Sequence, residues 1–178
     1  MAVSTLVTTA GSATANAYIS VTVADQFHLD HPQFGTTAAT GLWSVATTDQ
    51  KSAAILWATK LLDRLFEWNG SVVDTTQKLL WPRAGLSDVN NWNNLSTTTI
   101  PDQIQWATAE FARQLLMSER MLDSDIQTQG IRSLKAGPIA LTFKDSVYAK
   151  QVPDSVVNLI PYEWGYPRFR SERELLRA

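Results

Sequence analysis

A chain of 178 residues, 44% hydrophobic and 18% charged, has the size and composition of one soluble domain, able to hide about 70% of its unfolded surface. The absence of cysteine excludes disulfides, thiolate nucleophiles and thiolate metal sites together. A formal net charge of −2 argues against a generic nucleic-acid binder, which needs a basic footprint to neutralise phosphates.

Residues 1–17 are Ala-, Thr-, Ser- and Gly-rich, with no basic start and no long apolar run. They read as a flexible N-terminal arm and not as a secretory signal. Ser20 is a candidate N-cap for a short helix over Val21–Asp30, with Val23, Phe27 and Tyr18 facing inward and Pro32 as its stop. Thr47 and Gln50 form the T-x-x-Q pattern of a capping box. Behind it Ala54, Trp57, Ala58, Leu61, Leu65 and Trp68 recur at helical spacing, beside a second stripe of Ile55, Leu62 and Phe66. An apolar face that wide predicts a helix packed on two sides, closed by Asn69-Gly70.

Residues 70–98 form a long connection, a class that tends to be functional. It holds Trp81-Pro82-Arg83 and an Asn-rich run around Trp92. A third helix starts near Pro101 with Thr99 as cap, lines one face with Ile104, Ala107, Phe111, Leu115 and Leu122, and ends near Asp123. Residues 131–147 lose the helical period and alternate around Gly137-Pro138, the pattern of a β-hairpin or extended arm. A fourth helix opens at Pro153-Asp154-Ser155 and closes at Pro161, burying Val156, Val157, Leu159 and Ile160. The expected fold is therefore mainly α: a small bundle of about four helices over residues 18–160, with a hairpin at about 131–147 and a flexible C-terminal tail over 161–178. No run of about 18 apolar residues is present, so no membrane span is expected.

Signatures of catalysis are missing. There is no phosphate loop, dinucleotide turn, nucleophile elbow or H-E-x-x-H, and the expectation is a protein that is not an enzyme, with no catalytic residue, no cofactor and no metal. Asp25, His28, Asp30 and His31 include an i, i+3 His pair that could meet one ion, but a solvated helix end explains them as well. Trp57, Trp68 and Trp106 lie on helical stripes and read as core. Trp43, Trp81, Trp92 and Trp164 lie in loops or near the tail, where they could stack single-stranded bases or anchor a protein interface. The charge balance favours the interface.

Several fragments, in order, carry a resemblance. They are Ala15-Asn16-Ala17-Tyr18-Ile19-Ser20, the helix Ala54–Arg64 with its Ala-Thr-x-x-Leu-Asp-Arg run, Leu80-Trp81-Pro82-Arg83, Ile100-Pro101 and Lys135–Ile139. Over about residues 15 to 160 the chain resembles a family of tailed-bacteriophage head-tail connector (head completion) proteins that also carries the description DnaT-like single-stranded DNA-binding protein. The resemblance implies a structural virion protein at the neck, made in the host bacterial cytoplasm. It would form a ring, commonly of twelve copies, below the portal, extend the DNA channel and offer a platform to the tail, stopper or tail-terminator protein. Genomic DNA would pass without sequence-specific binding, and no membrane is involved. It also implies that the C-terminal segment docks on the portal. The residues agree with that, since Tyr166, Arg168, Phe169, Arg170, Arg173, Leu175 and Leu176 set apolar anchors among Arg, with net charge +2 over Tyr166–Ala178 against −4 elsewhere. Trp81, Pro82, Arg83, Trp92, Ile139, Leu141 and Phe143 are candidate inter-subunit contacts, although a buried structural turn is the favoured reading of Trp81-Pro82-Arg83. The alternative function is single-stranded DNA binding, with Trp81 or Trp92 as the stacking residues.

Overall fold

A computed structural model of the chain describes residues 3–30, 41–88, 93–117, 133–136, 139–142 and 151–168. The helices are α1 (Val21–Leu29), α2 (Gly41–Val45), α3 (Thr48–Leu65), α4 (Asp102–Met117) and α5 (Asp154–Val157). The strands are β1 (Phe66–Trp68), β2 (Ser71–Val72), β3 (Arg83–Ala84), β4 (Ser133–Ala136), β5 (Ile139–Thr142) and β6 (Gly165–Pro167). They pair antiparallel as β1–β6, β2–β3 and β4–β5.

This corrects the expectation of a mainly α bundle: the described chain is mixed α/β. The physical reason is strand length. Strands of two or three residues, as β1, β2, β3 and β6 are, are too short to display a period of two, and β1 finds its partner about a hundred residues away, Phe66 opposite Pro167.

Two helix starts obey the expected caps, whereas α4 starts after Pro101 and not at Thr99. Ser20 accepts from the Val23 N–H, and Thr47 and Gln50 satisfy each other's backbone N–H in a full capping box. α3 ends at Leu65, short of the apolar stripe, because Phe66 and Trp68 turn inward in alternation with exposed Glu67. Gly70 then takes φ +70°, which a side chain would strain, and a Cβ there would fall 2.4 Å from the Ala84 carbonyl oxygen. The end of the third helix near Asp123 lies outside the described residues.

α3 and α4 pack along their length and make the centre of the core, with Ile55, Ala58, Leu62, Ile104, Ala107 and Phe111 fully buried. α1 lies across both, burying Ala24 and His28. His28, expected at a solvated helix end, sits among the Phe27 and Trp43 rings, whereas Val23, expected inside, is exposed. Asp25 is occupied by the Trp43 indole N–H and the Lys51 ammonium; His31 lies outside the described residues.

The two ends of the domain are tied in. Within the expected N-terminal arm, the Asn16 side chain bonds Thr5 and Val7, and Ser12 accepts from Lys78. The arm is thus held against the body over residues 3–17. Within the expected tail, Trp164 is buried, β6 pairs with β1, and Arg168 bonds the Leu65 and Phe66 carbonyls. Residues 169–178 lie outside the described residues.

Candidate functional site

Three of the five fragments that carry the family resemblance meet at one buried joint. The Tyr18 backbone N–H donates to the Thr59 hydroxyl, and the Tyr18 hydroxyl donates to Asp63. The other Asp63 oxygen accepts from the Leu80 N–H at 3.3 Å. Next to it, the Arg83 guanidinium donates to the carbonyls of Asn69 (2.6 Å), Gly70 (2.8 Å), Leu80 (3.1 Å) and Trp68 (3.5 Å). Arg83 therefore acts as a staple that fixes two stretches of backbone, Trp68–Gly70 and Leu80. Burial pushes its pKa down, opposed by the Tyr18 and Asp63 groups.

Burial pushes the Asp63 carboxyl up to about 6, against the pull of the Tyr18 and Leu80 hydrogen bonds and the Arg83 charge; burial likewise raises the Tyr18 hydroxyl. Because the folded pKa lies above the ordinary 3.8, the folded chain holds a proton that the unfolded chain releases between about pH 4 and 6. This contribution is present at low pH and is lost as pH rises through 6. Lowering the pH from 7 to 5 is expected to stabilise the wild type relative to Asp63→Asn by about 1 kcal/mol, read as the change in the gap between their urea midpoints. A gap that does not move would contradict the assignment.

Trp81, Pro82 and Arg83 all belong to this joint and are buried, so none offers a face to another subunit or to a base. Trp81 packs between Trp68 and Trp164, with ring centroids 5.4 and 5.7 Å away. Trp43 and Trp164 are equally buried. The loop tryptophans read from sequence as ligand anchors are core, apart from Trp92, which lies outside the described residues.

The reverse holds for two tryptophans read as core. Trp57 and Trp106 are 41% and 42% exposed. Trp57 lies at the margin of the α3 apolar stripe, on an outward line of Ala53, Trp57, Lys60 and Arg64, all exposed. These positions are one helical turn apart or close to it, so their side chains are neighbours. The Lys60 ammonium stands 5.8 Å from the Trp57 ring centroid, within range of a cation–π contact. Beside the ring, Gln50, Ala53, Ala54, Leu115 and Leu116 wall a groove of about 250 Å³ between α3 and α4. Trp106, with Met117 further along α4, lies on the side of α4 turned from its buried face.

Of the remaining sequence-derived candidates, Tyr166 and Arg168 belong to another part of the described structure. Tyr166 pairs with Glu67 in the β1–β6 ladder, and Arg168 caps that ladder. Ile139 and Leu141 lie in β5, Leu141 opposite Leu134. Phe143, Phe169, Arg170, Arg173, Leu175 and Leu176 lie outside the described residues. Among the described residues, no group of three or more His, Asp or Glu is placed to hold a metal ion. No described helix is long and apolar enough to cross a membrane.

Residues 4–164 match the family described as "Putative DnaT-like ssDNA binding protein". No curated protein and no solved structure matches the chain.

Proposed function

Since the chain belongs to the DnaT-like ssDNA binding protein family, we propose that it acts by binding single-stranded DNA, carries out no reaction, and meets the strand on the outer face of α3. The observation that carries this reading is the exposed Trp57 ring with Lys60 beside it and Arg64 one turn on. Every base has a face that can stack on an aromatic ring, and flanking cations take the phosphates. With two cations engaged, affinity is modest and its salt dependence shallow, a slope of about −1.4 in log K against log salt.

The test is fluorescence anisotropy of a labelled oligothymidylate titrated with protein over a range of salt. Trp57→Ala is expected to weaken binding by about 1–3 kcal/mol, and Lys60→Gln with Arg64→Gln to flatten the salt slope. Absence of any oligonucleotide binding at low salt would refute the reading.

A second reading, the head-to-tail adaptor of a tailed phage, is supported by different observations. The net charge is −2, and the outer edges of the β4–β5 ladder have no further strand among the described residues. Free strand edges invite pairing, here with neighbouring copies in a ring through Ile139 and Leu141. Under this reading residues 169–178 dock on the portal, a tail or stopper protein binds below, and genomic DNA passes through the neck of the virion. A truncation after Arg168 spares β6. If it leaves oligothymidylate binding intact and abolishes capture by purified portal rings, the adaptor reading takes precedence; undiminished capture removes it.

A further inference from the structure

We propose that the groove beside Trp57 is a socket for one unstacked nucleobase of a single strand, an assignment that rests on the DNA-binding reading above and specifies how the strand is held. The groove measures about 250 Å³, just below the roughly 300–1,000 Å³ of sites for drug-sized ligands, and so suits one flat ring system.

Its walls fit that occupant. The Trp57 indole offers an aromatic face, and Ala53 and Ala54 keep the α3 wall low enough for a flat ring to slide in. Leu115 and Leu116 supply apolar contact from α4. At the far end stands Gln50, whose carbonyl oxygen is fixed on the Thr47 N–H by the capping box at 2.9 Å. That bond orients the amide and leaves its NH₂ hydrogens as donors for a carbonyl or ring-nitrogen acceptor on the base edge.

None of the described residues that line the groove is charged. Lys60 and Arg64 stand about 4.5 and 10.5 Å beyond Trp57 along the helix axis, outside the groove lining, where successive phosphates of the same strand would follow. The arrangement therefore separates two tasks: the groove takes the base and the cations take the backbone. An apolar peptide could fill the same groove but would have no use for the two flanking cations. A duplex, with its bases already stacked, could use the cations but not the groove.

The experiment compares two probes of equal length and charge, an oligothymidylate and the same strand made wholly of abasic sites. The wild type should bind the oligothymidylate at least fivefold more tightly. Trp57→Ala should bring it down to the abasic level, and Ala53→Met, which fills the groove and spares both the ring and the cations, should do the same. All these positions are exposed, so the fold is not at risk, and unchanged thermal melting verifies that. Free thymidine monophosphate in large excess should not displace the strand; full displacement would make the ligand a nucleotide and overturn the proposal. Equal binding of the two strands by the wild type would overturn the socket while leaving the DNA-binding reading in place. A preference for bases that survives both substitutions would place the base elsewhere and overturn the socket too. Binding of neither strand would remove the reading on which it rests.

Discussion

Replacing Arg83 with methionine is expected to destabilise the protein by about 3–5 kcal/mol, the range for removing one member of a buried charged network, with a lowered midpoint in urea and an unchanged slope. Methionine keeps the length and apolar stem, so little packing is lost. What disappears is a set of charge-assisted donors that serve four main-chain carbonyls from Trp68, Asn69, Gly70 and Leu80. Buried carbonyls left without partners each carry a desolvation cost of about 1–3 kcal/mol, offset in part where water can enter. Arg83→Lys should recover only a fraction, because one ammonium cannot reproduce the planar fork that reaches three directions. A methionine variant as stable as the wild type would mean that the carbonyls are solvated and the staple is decorative.

Trp164→Ala is expected to cost about 3–5 kcal/mol as well. Its ring is 1% exposed, packs on Trp81, and donates its indole N–H to the Ser87 carbonyl at 2.9 Å. Loss of the ring also removes support from the adjacent β1–β6 ladder, where the Trp164 carbonyl accepts from the Asn69 N–H. The two readings of this stretch differ sharply. If residues from 161 onward were a free tail, as their composition suggests, the substitution would leave thermal and chemical midpoints unchanged. A fall in melting temperature of about 6–20 °C, what such a loss implies for a domain of this size, is the expected result.

Helix starts were legible because they are local chemistry. Ser20 and Thr47-x-x-Gln50 advertise their caps within four residues, and the structure uses both. The α3–α4 core was legible from its stripes, down to Ile55, Leu62, Ile104 and Phe111. The tryptophans were read almost in inverse. A periodic stripe says which residues share a face, but not where the neighbouring helix stops covering it, and Trp57 lies just past that margin. Loop tryptophans show no period at all, yet Trp81 and Trp164 join Trp68, the one striped tryptophan that is core, in one cluster. Nothing within reach of any one of them announces the other two. The same limit hid the β2–β3 ladder: Ser71 and Val72 carry no strand pattern until Ala84 and Arg83 arrive opposite them. One signal for the outer face was available in the sequence. Lys60 and Arg64, three and seven residues beyond Trp57, mark the polar side of a helix, and a tryptophan on that line is a poor candidate for burial.

The strand that covers Phe66 and Trp68 comes a hundred residues later, with Gly165 set so close to Trp68 that even a methyl group would collide. A polypeptide cut short before Gly165, by a premature stop or a protease, keeps two large rings and an open strand edge in contact with water. Such a fragment is adhesive and an obvious target for chaperones and degradation. Completion of the sequence through Pro167 thereby becomes a condition for escaping quality control, so truncated copies are weeded out before they can compete with intact ones.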